Sequence, residues 1–281
     1  MSARAFHLVN VFARDGRFTG NPLCVFEDGS GLDTSAMQAI ARQFNLSETT
    51  FILPSERASA QVRIFTPAYE MPFAGHPTLG TAHVVRALGK GGDEVTLEMK
   101  VGVIPVGARG DRWTLTARTA QTRPVGEGRE DIAAALGLEA ADIRADPLWV
   151  NAGTEQMMVP VATAQAVDRA LPVPARFLRL AAVDGPAKAY VFFDEGEAAG
   201  RVRARFFFPS ANAVLEDPAT GSACANLGAW FLHTRPHESV TREVSQGEAV
   251  ARPSTLYLEV RAGSVFVGGR VLELGRGTID L

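Results

Sequence analysis

Apolar side chains crowd the stretch Phe6 to Phe12, a run suited to a strand. A polar turn at Asp15-Gly16-Arg17 and the sequence Gly20-Asn21-Pro22 lead into a second strand, Leu23 to Phe26. The period then changes. Ala36, Met37, Ile40, Ala41 and Phe44 keep helical spacing, which predicts an amphipathic helix from Thr34 to Phe44 with Asp33 as its N-cap. Asn45 to Leu53 reads as a turn running into a strand, and two further strand-like runs cover Ala60 to Phe65 and Val95 to Val106.

Two segments break the amphipathic rule. The residues after Gly75, among them Leu79, Ala82, Val84, Val85, Ala87 and Leu88, are apolar on every helical face. So are Ala223, Cys224, Ala225, Leu227, Ala229, Trp230, Phe231 and Leu232 after Gly221. A helix apolar all round is buried, not laid on a surface. Pro77 suits the first position of the earlier helix, where its missing N–H costs nothing. The approach to each helix is also repeated: Arg63-Ile64-Phe65-Thr66-Pro67 before one, Arg205-Phe206-Phe207-Phe208-Pro209 before the other. Each copy is strand, turn, glycine, helix, and the free N–H groups of each helix start make an anion site. The expected architecture is a pseudo-duplicated α/β protein with a central helix in each half and a cleft where the two helix starts meet.

The remaining pattern fills in around these helices. Arg118 to Gly128 is polar and rich in breakers and is the expected linker. Helices are predicted at Glu130 to Leu136, Ala164 to Leu171 and Ala175 to Leu180, and strands at Ala189 to Phe193 and Val202 to Phe208. The stretch Trp149 to Val159 reads as the second-half counterpart of the region around Glu48. Tail strands are expected at Thr255 to Val260, Val265 to Val267 and Val271 to Leu274, punctuated by Gly263, Gly268-Gly269 and Gly275.

Composition narrows the class. The 281 residues are 46% hydrophobic and 21% charged, enough apolar material for a full core without staples. A net charge of −3 supplies no basic stripe, so nucleic acid is not an expected partner. The two cysteines, Cys24 and Cys224, do not form a secreted framework, and buried structural thiols are expected for both. No run reaches the length of a membrane span and no signal peptide is evident, so a cytoplasmic location without a membrane partner is expected.

Four polar residues stand where chemistry could occur. Glu48 lies at the mouth of an apolar strand, where it is either a solvated turn glutamate or a carboxylate that can serve general acid/base work. His76 opens the first buried helix, whose positive end favours neutral imidazole; a capping role is the alternative. Asp217 precedes a proline and so sits in extended backbone, reaching toward a ligand or closing an ordinary turn. Ser222 follows Gly221 as a donor or a helix cap. A hydrolase triad of Ser222, His76 and Asp217 lacks the second glycine of a nucleophile elbow. A metal on His76 and His83 is rejected, since the two are too far apart for one ion and no third ligand fits. No glycine-rich nucleotide loop occurs, and Lys90, Lys100 and Lys188 lie in no Schiff-base context.

These residues together resemble the PhzF family of phenazine-biosynthesis-like isomerases, with the diaminopimelate epimerase-like fold. The matching motifs are Gly20-Asn21-Pro22, Asn45 to Thr49, Phe65-Thr66-Pro67, Gly75 to Gly80, Asp217 to Ala223, Gln246-Gly247 and Arg252-Pro253-Ser254. The resemblance runs nearly end to end. It implies two similar domains, residues 1–117 and 118–281, each a curved, mostly antiparallel sheet round a central helix, with the last strand crossing back to the first domain. It implies a cofactor-independent homodimeric isomerase with no metal, acting on a small carboxylate-bearing substrate. Glu48, His76 and Asp217 are then the catalytic residues. Asn21, Gly75, Pro77, Thr78, Gly221 and Ser222 bind the substrate, the helix starts gripping its carboxylate. In racemases of this fold two cysteines transfer the proton; the corresponding places here are Gly75 and Asp217. The alternatives are a two-base amino-acid racemase or epimerase, and a non-catalytic protein that binds a small acid in the same cleft.

Overall fold

The computed structural model describes residues 3–182, 185–210 and 212–281. The chain divides into two units, one holding everything up to Thr116 and again from Gly268 onward, the other Ala117–Val267.

In the first unit the elements are β1 (Ala3–Val11), β2 (Asn21–Phe26), α1 (Thr34–Phe44), β3 (Glu48–Leu53), β4 (Ala60–Phe65) and β5 (Glu70–Met71). They continue with α2 (Gly75–Ala87), β6 (Glu94–Met99), β7 (Gly102–Arg109) and β8 (Arg112–Thr116). The Asp33 carboxylate caps α1 by accepting from the Ala36 amide at 2.8 Å. Most strand pairs are antiparallel, but β2 runs parallel to β3, and β4 parallel to β6. Each parallel step is crossed by a helix, α1 in one case and α2 in the other. The run expected as one strand, Val95 to Val106, is instead the hairpin β6–β7, because Gly102 at φ +118° reverses the chain.

The second unit starts with β9 (Gln121–Pro124), α3 (Arg129–Ala135), β10 (Leu148–Asn151), β11 (Glu155–Pro160), α4 (Ala164–Arg169) and α5 (Pro174–Phe177). A small hairpin, β12 (Ala181–Ala182) and β13 (Gly185–Pro186), leads to β14 (Ala189–Asp194), β15 (Arg201–Ser210) and β16 (Ala213–Asp217). Then come α6 (Gly221–Thr234), β17 (Val240–Gln246), β18 (Ser254–Arg261) and β19 (Ser264–Asp280). The middle of the expected linker, Gln121–Pro124, is therefore a strand, since β9 pairs with β10. The expected tail strands at Val265 and Val271 are one strand, β19. Its glycines do not end it; they allow close approach. A Cβ on Gly269 would meet the Phe12 ring at 2.3 Å, and one on Gly268 would meet Thr114 Oγ1 at 2.5 Å.

From Gly268 onward, β19 pairs with β1 and with β8, so the first unit closes as a β-barrel: β1, β2, β3, β4, β6, β7, β8, β19. Helix α2 threads it, with Leu79, Ala82, Val84 and Val85 all fully buried. Gly80 faces the wall directly: a Cβ there would lie 2.6 Å from Leu23 and 2.9 Å from Val11. In the second unit the sheet order β9-β10-β11-β14-β15-β17-β18 wraps α6 in the same manner. Gly228 of α6 meets Val265 and Leu258 as Gly80 meets its own wall. The parallel steps recur too, β11 beside β14 and β15 beside β17. By this topology the counterpart of β3 is β14, not the stretch Trp149 to Val159, which forms the β10–β11 hairpin.

Candidate active site

The first set of polar groups gathers at the start of α2. Glu48 is the first residue of β3, held in register against Leu23 of β2. His76 is the second residue of α2, and Ala74 occupies the N-cap, so the histidine is not a cap. Helix α2 begins two residues earlier than Pro77, which therefore sits in the first turn without a missing bond. His76 Nε2 lies 3.3 Å from Glu48 Oε2, and both side chains are largely withdrawn from solvent, at 8% and 15% exposure. The contact is at ion-pair distance but off the line of a hydrogen bond.

The histidine's other bond decides its tautomer. Its ring bonds to the backbone of Pro22, which offers only a carbonyl. Since Nε2 makes no hydrogen bond, the donor is Nδ1–H. Burial pulls the His76 pKa down to about 3, the Pro22 carbonyl pulling weakly the other way, so the ring is neutral near pH 7. Burial, more than the helix end, is the cause. A neutral ring protonated on Nδ1 turns the Nε2 lone pair toward Glu48.

Neighbours fix this geometry. Asn21, at the start of β2, is buried, and Gly20 before it has φ +78° with a virtual Cβ 2.5 Å from the Val11 carbonyl. Thr50 of β3 and Thr81 of α2 share a buried hydrogen bond of 2.8 Å, tying the strand that carries Glu48 to the helix that carries His76. Thr78 turns its hydroxyl back to the Ala74 carbonyl at 2.7 Å, leaving its side chain structural. His83, the other histidine on α2, accepts from Trp113 Nε1 at 3.3 Å.

The second set gathers at the start of α6. Asp217 ends β16, and its Oδ2 accepts from the Thr220 hydroxyl at 2.5 Å. Thr220, not Ser222, is the N-cap residue. Gln246 donates to the Asp217 carbonyl at 2.8 Å and to the Thr220 hydroxyl at 3.0 Å. Gly247, at φ +86°, lets that loop press on Pro218: a Cβ there would meet the Arg252 carbonyl at 2.3 Å and the Pro218 carbonyl at 2.5 Å. The motifs Gln246-Gly247 and Arg252-Pro253-Ser254 thus support the helix start. Ser222, second in the helix after Gly221, accepts from Gln156 at 3.0 Å. Gln156 in turn accepts from Asn226 at 2.8 Å, and Asn226 bonds the Ala152 amide and the Thr154 carbonyl.

Asp217 is engaged by a threonine, and the serine by a glutamine, so the second unit holds no part of a hydrolase relay. Cys24 and Cys224 are fully buried, and burial pushes both thiols up, away from the thiolate form. Sequence reasoning missed the supporting amides Gln156 and Asn226, and gave Gln246 a place in a motif but no role. The signal was present for the first two. Gln156 interrupts an apolar run and Asn226 an apolar helix, and a polar residue in such a place is buried with a partner.

The family described as phenazine biosynthesis-like protein matches residues 9–273. An uncharacterized isomerase of Pasteurella multocida is 36% identical over 98% of this chain and 93% of its own length. The trans-2,3-dihydro-3-hydroxyanthranilate isomerase of Pseudomonas aeruginosa is 34% identical over 96% of this chain and 97% of its own. A crystal structure of a PhzF-family phenazine biosynthesis protein from Bacillus anthracis superposes with a TM-score of 0.86 at 24% identity, covering all of both chains. No helix among the described residues is long and apolar enough to cross a membrane.

Proposed function

The chain belongs to the phenazine-biosynthesis-like (PhzF) family and is an isomerase, and from that premise we propose that it moves a proton between two carbons of a small carboxylate-bearing substrate without a cofactor. Glu48 is the group that carries the proton. The observation behind this reading is the 3.3 Å contact between Glu48 Oε2 and a neutral His76 whose Nε2 lone pair faces it. When Glu48 has taken a proton from carbon, its carboxyl can donate to Nε2; on return of that proton to the second carbon, the carboxylate is regenerated. His76 thereby holds the acid in its protonated form between the two transfers without becoming charged itself.

Each helix start, Gly75 and His76 in α2 and Gly221 and Ser222 in α6, offers amide N–H groups of the kind that suit a carboxylate. Asp217, oriented by Thr220, is placed to accept from a polar group of the substrate. Asn21, Pro77 and Thr78 shape the site through the backbone turns they hold. In this reading the protein works as a homodimer of the usual family kind, in the cytoplasm.

The test is Glu48→Gln. General acid/base transfer contributes about 10²–10⁴-fold, so turnover of trans-2,3-dihydro-3-hydroxyanthranilate, taken as probe from the Pseudomonas relative, should fall by at least that much. Binding of 3-hydroxyanthranilate, an aromatic analogue with nothing to isomerise, should change little. Turnover retained in the variant overturns the assignment.

A further inference from the structure

The internal repeat can be followed residue by residue through the strand registers. Arg63 over Phe65 reaches Glu70, as Arg205 over Phe207 reaches Glu216. Phe65 pairs with Glu70 and Phe207 with Glu216. On its other side Phe65 pairs with Thr49, whereas Phe207 pairs with Ala189. Thr49 therefore corresponds to Ala189, and the residue before it, Glu48, to Lys188. Gly75-His76 corresponds likewise to Gly221-Ser222. Where the first unit has a carboxylate at this register position, the second has an ammonium.

We infer that Lys188 is a substrate-binding residue that takes a carboxylate at the start of α6, an inference that rests on the proposed carboxylate-bearing substrate. Lys188 directly precedes β14, and its place beside α6 follows from the strand register. The neighbouring strand β11 has Met157 level with Ala189, so Gln156 lies level with Lys188, and Gln156 bonds to Ser222 and Asn226 of that helix. Lys188 is half-buried, and its ammonium donates to the Thr154 hydroxyl at 3.3 Å. Among the described residues no carboxylate lies within ion-pair distance of it; Glu155 next to Thr154 is taken by the paired bonds of Arg123.

A partly desolvated cation beside the positive end of a helix is costly when nothing neutralises it. An anion arriving there gains from both. Burial already pulls the Lys188 pKa down, consistent with a missing counter-charge. Tyr190, two residues along, is fully buried with a hydroxyl that makes no hydrogen bond.

Calorimetry on the full chain tests the inference with two probes, 3-hydroxyanthranilate and 2-aminophenol, which differ only by the carboxylate. The parent should prefer the acid by about tenfold or more, the scale of a charge-assisted bond. Lys188→Gln should abolish that preference and Lys188→Arg should keep most of it. Glu48→Gln should bind as the parent does, so failure of the proton-transfer reading shows in turnover while failure here shows in binding. A parent that does not discriminate between the probes overturns the inference. So does a Lys188→Gln variant that still discriminates, or one that loses turnover with binding unchanged.

Discussion

At the scale of single residues, the buried neutral histidine has a consequence for stability. Unfolded, His76 titrates near its ordinary value of 6.5; folded, it titrates near 3. Between those values the unfolded chain binds more protons than the folded one, so this group's contribution is fully present above 6.5 and is lost as pH falls toward 3. The difference in unfolding free energy between the parent and His76→Gln should therefore grow as pH rises from about 4 to 6.5, by at most about 1.4 kcal/mol per pH unit, and stay level above. Denaturant titrations of both proteins across that range check it. The position of Glu48 at a strand mouth and of His76 by a helix start was legible in the sequence. The Pro22 carbonyl that sets the tautomer was not, because a backbone acceptor leaves no mark on residue identity.

At the scale of elements, the two buried helices set the sharpest constraints. Gly80→Ala places a methyl 2.6 Å from Leu23 and 2.9 Å from Val11, side chains that can yield only by repacking the barrel wall. The expected loss is about 1–3 kcal/mol, read as a shift in denaturation midpoint. Gly247→Ala should cost more, since its methyl meets two backbone carbonyls and its φ of +86° is strained for alanine. Moving that loop also moves Gln246, so the variant should lose activity beyond its loss of stability. Asp33→Ala removes the α1 cap and should cost about 1 kcal/mol while leaving activity intact. The α1 helix was readable to the residue because its cap and periodicity are both local. The break between β6 and β7 was not, since Lys100-Val101-Gly102 carries one glycine in an otherwise strand-like run.

At the scale of the whole molecule, the chain returns to the unit it began. Deleting Gly268–Leu281 removes the strand that closes the first barrel between β1 and β8. The truncated chain should lose the cooperative unfolding of the first unit, seen as a missing phase in thermal melts. The duplication was visible in the paired Arg-x-Phe approaches and the paired glycines. The correspondence of Glu48 with Lys188 was hidden, because it depends on which strands pair and in what register, and the two residues share no local motif. Gly268 and Gly269 misled for a related reason: glycines that admit a neighbouring side chain read the same as glycines that end a strand.

The central claim is that one carboxylate, Glu48, carries a proton from carbon to carbon. Its most direct test is turnover of a substrate deuterated at the donor carbon, followed by NMR and by the isotope effect on kcat/KM. The account predicts a primary isotope effect, with the label either delivered to the acceptor carbon or lost to solvent, and neither event in Glu48→Gln. Product that keeps its deuterium at the original carbon, or label that leaves as fast in Glu48→Gln as in the parent, would contradict it.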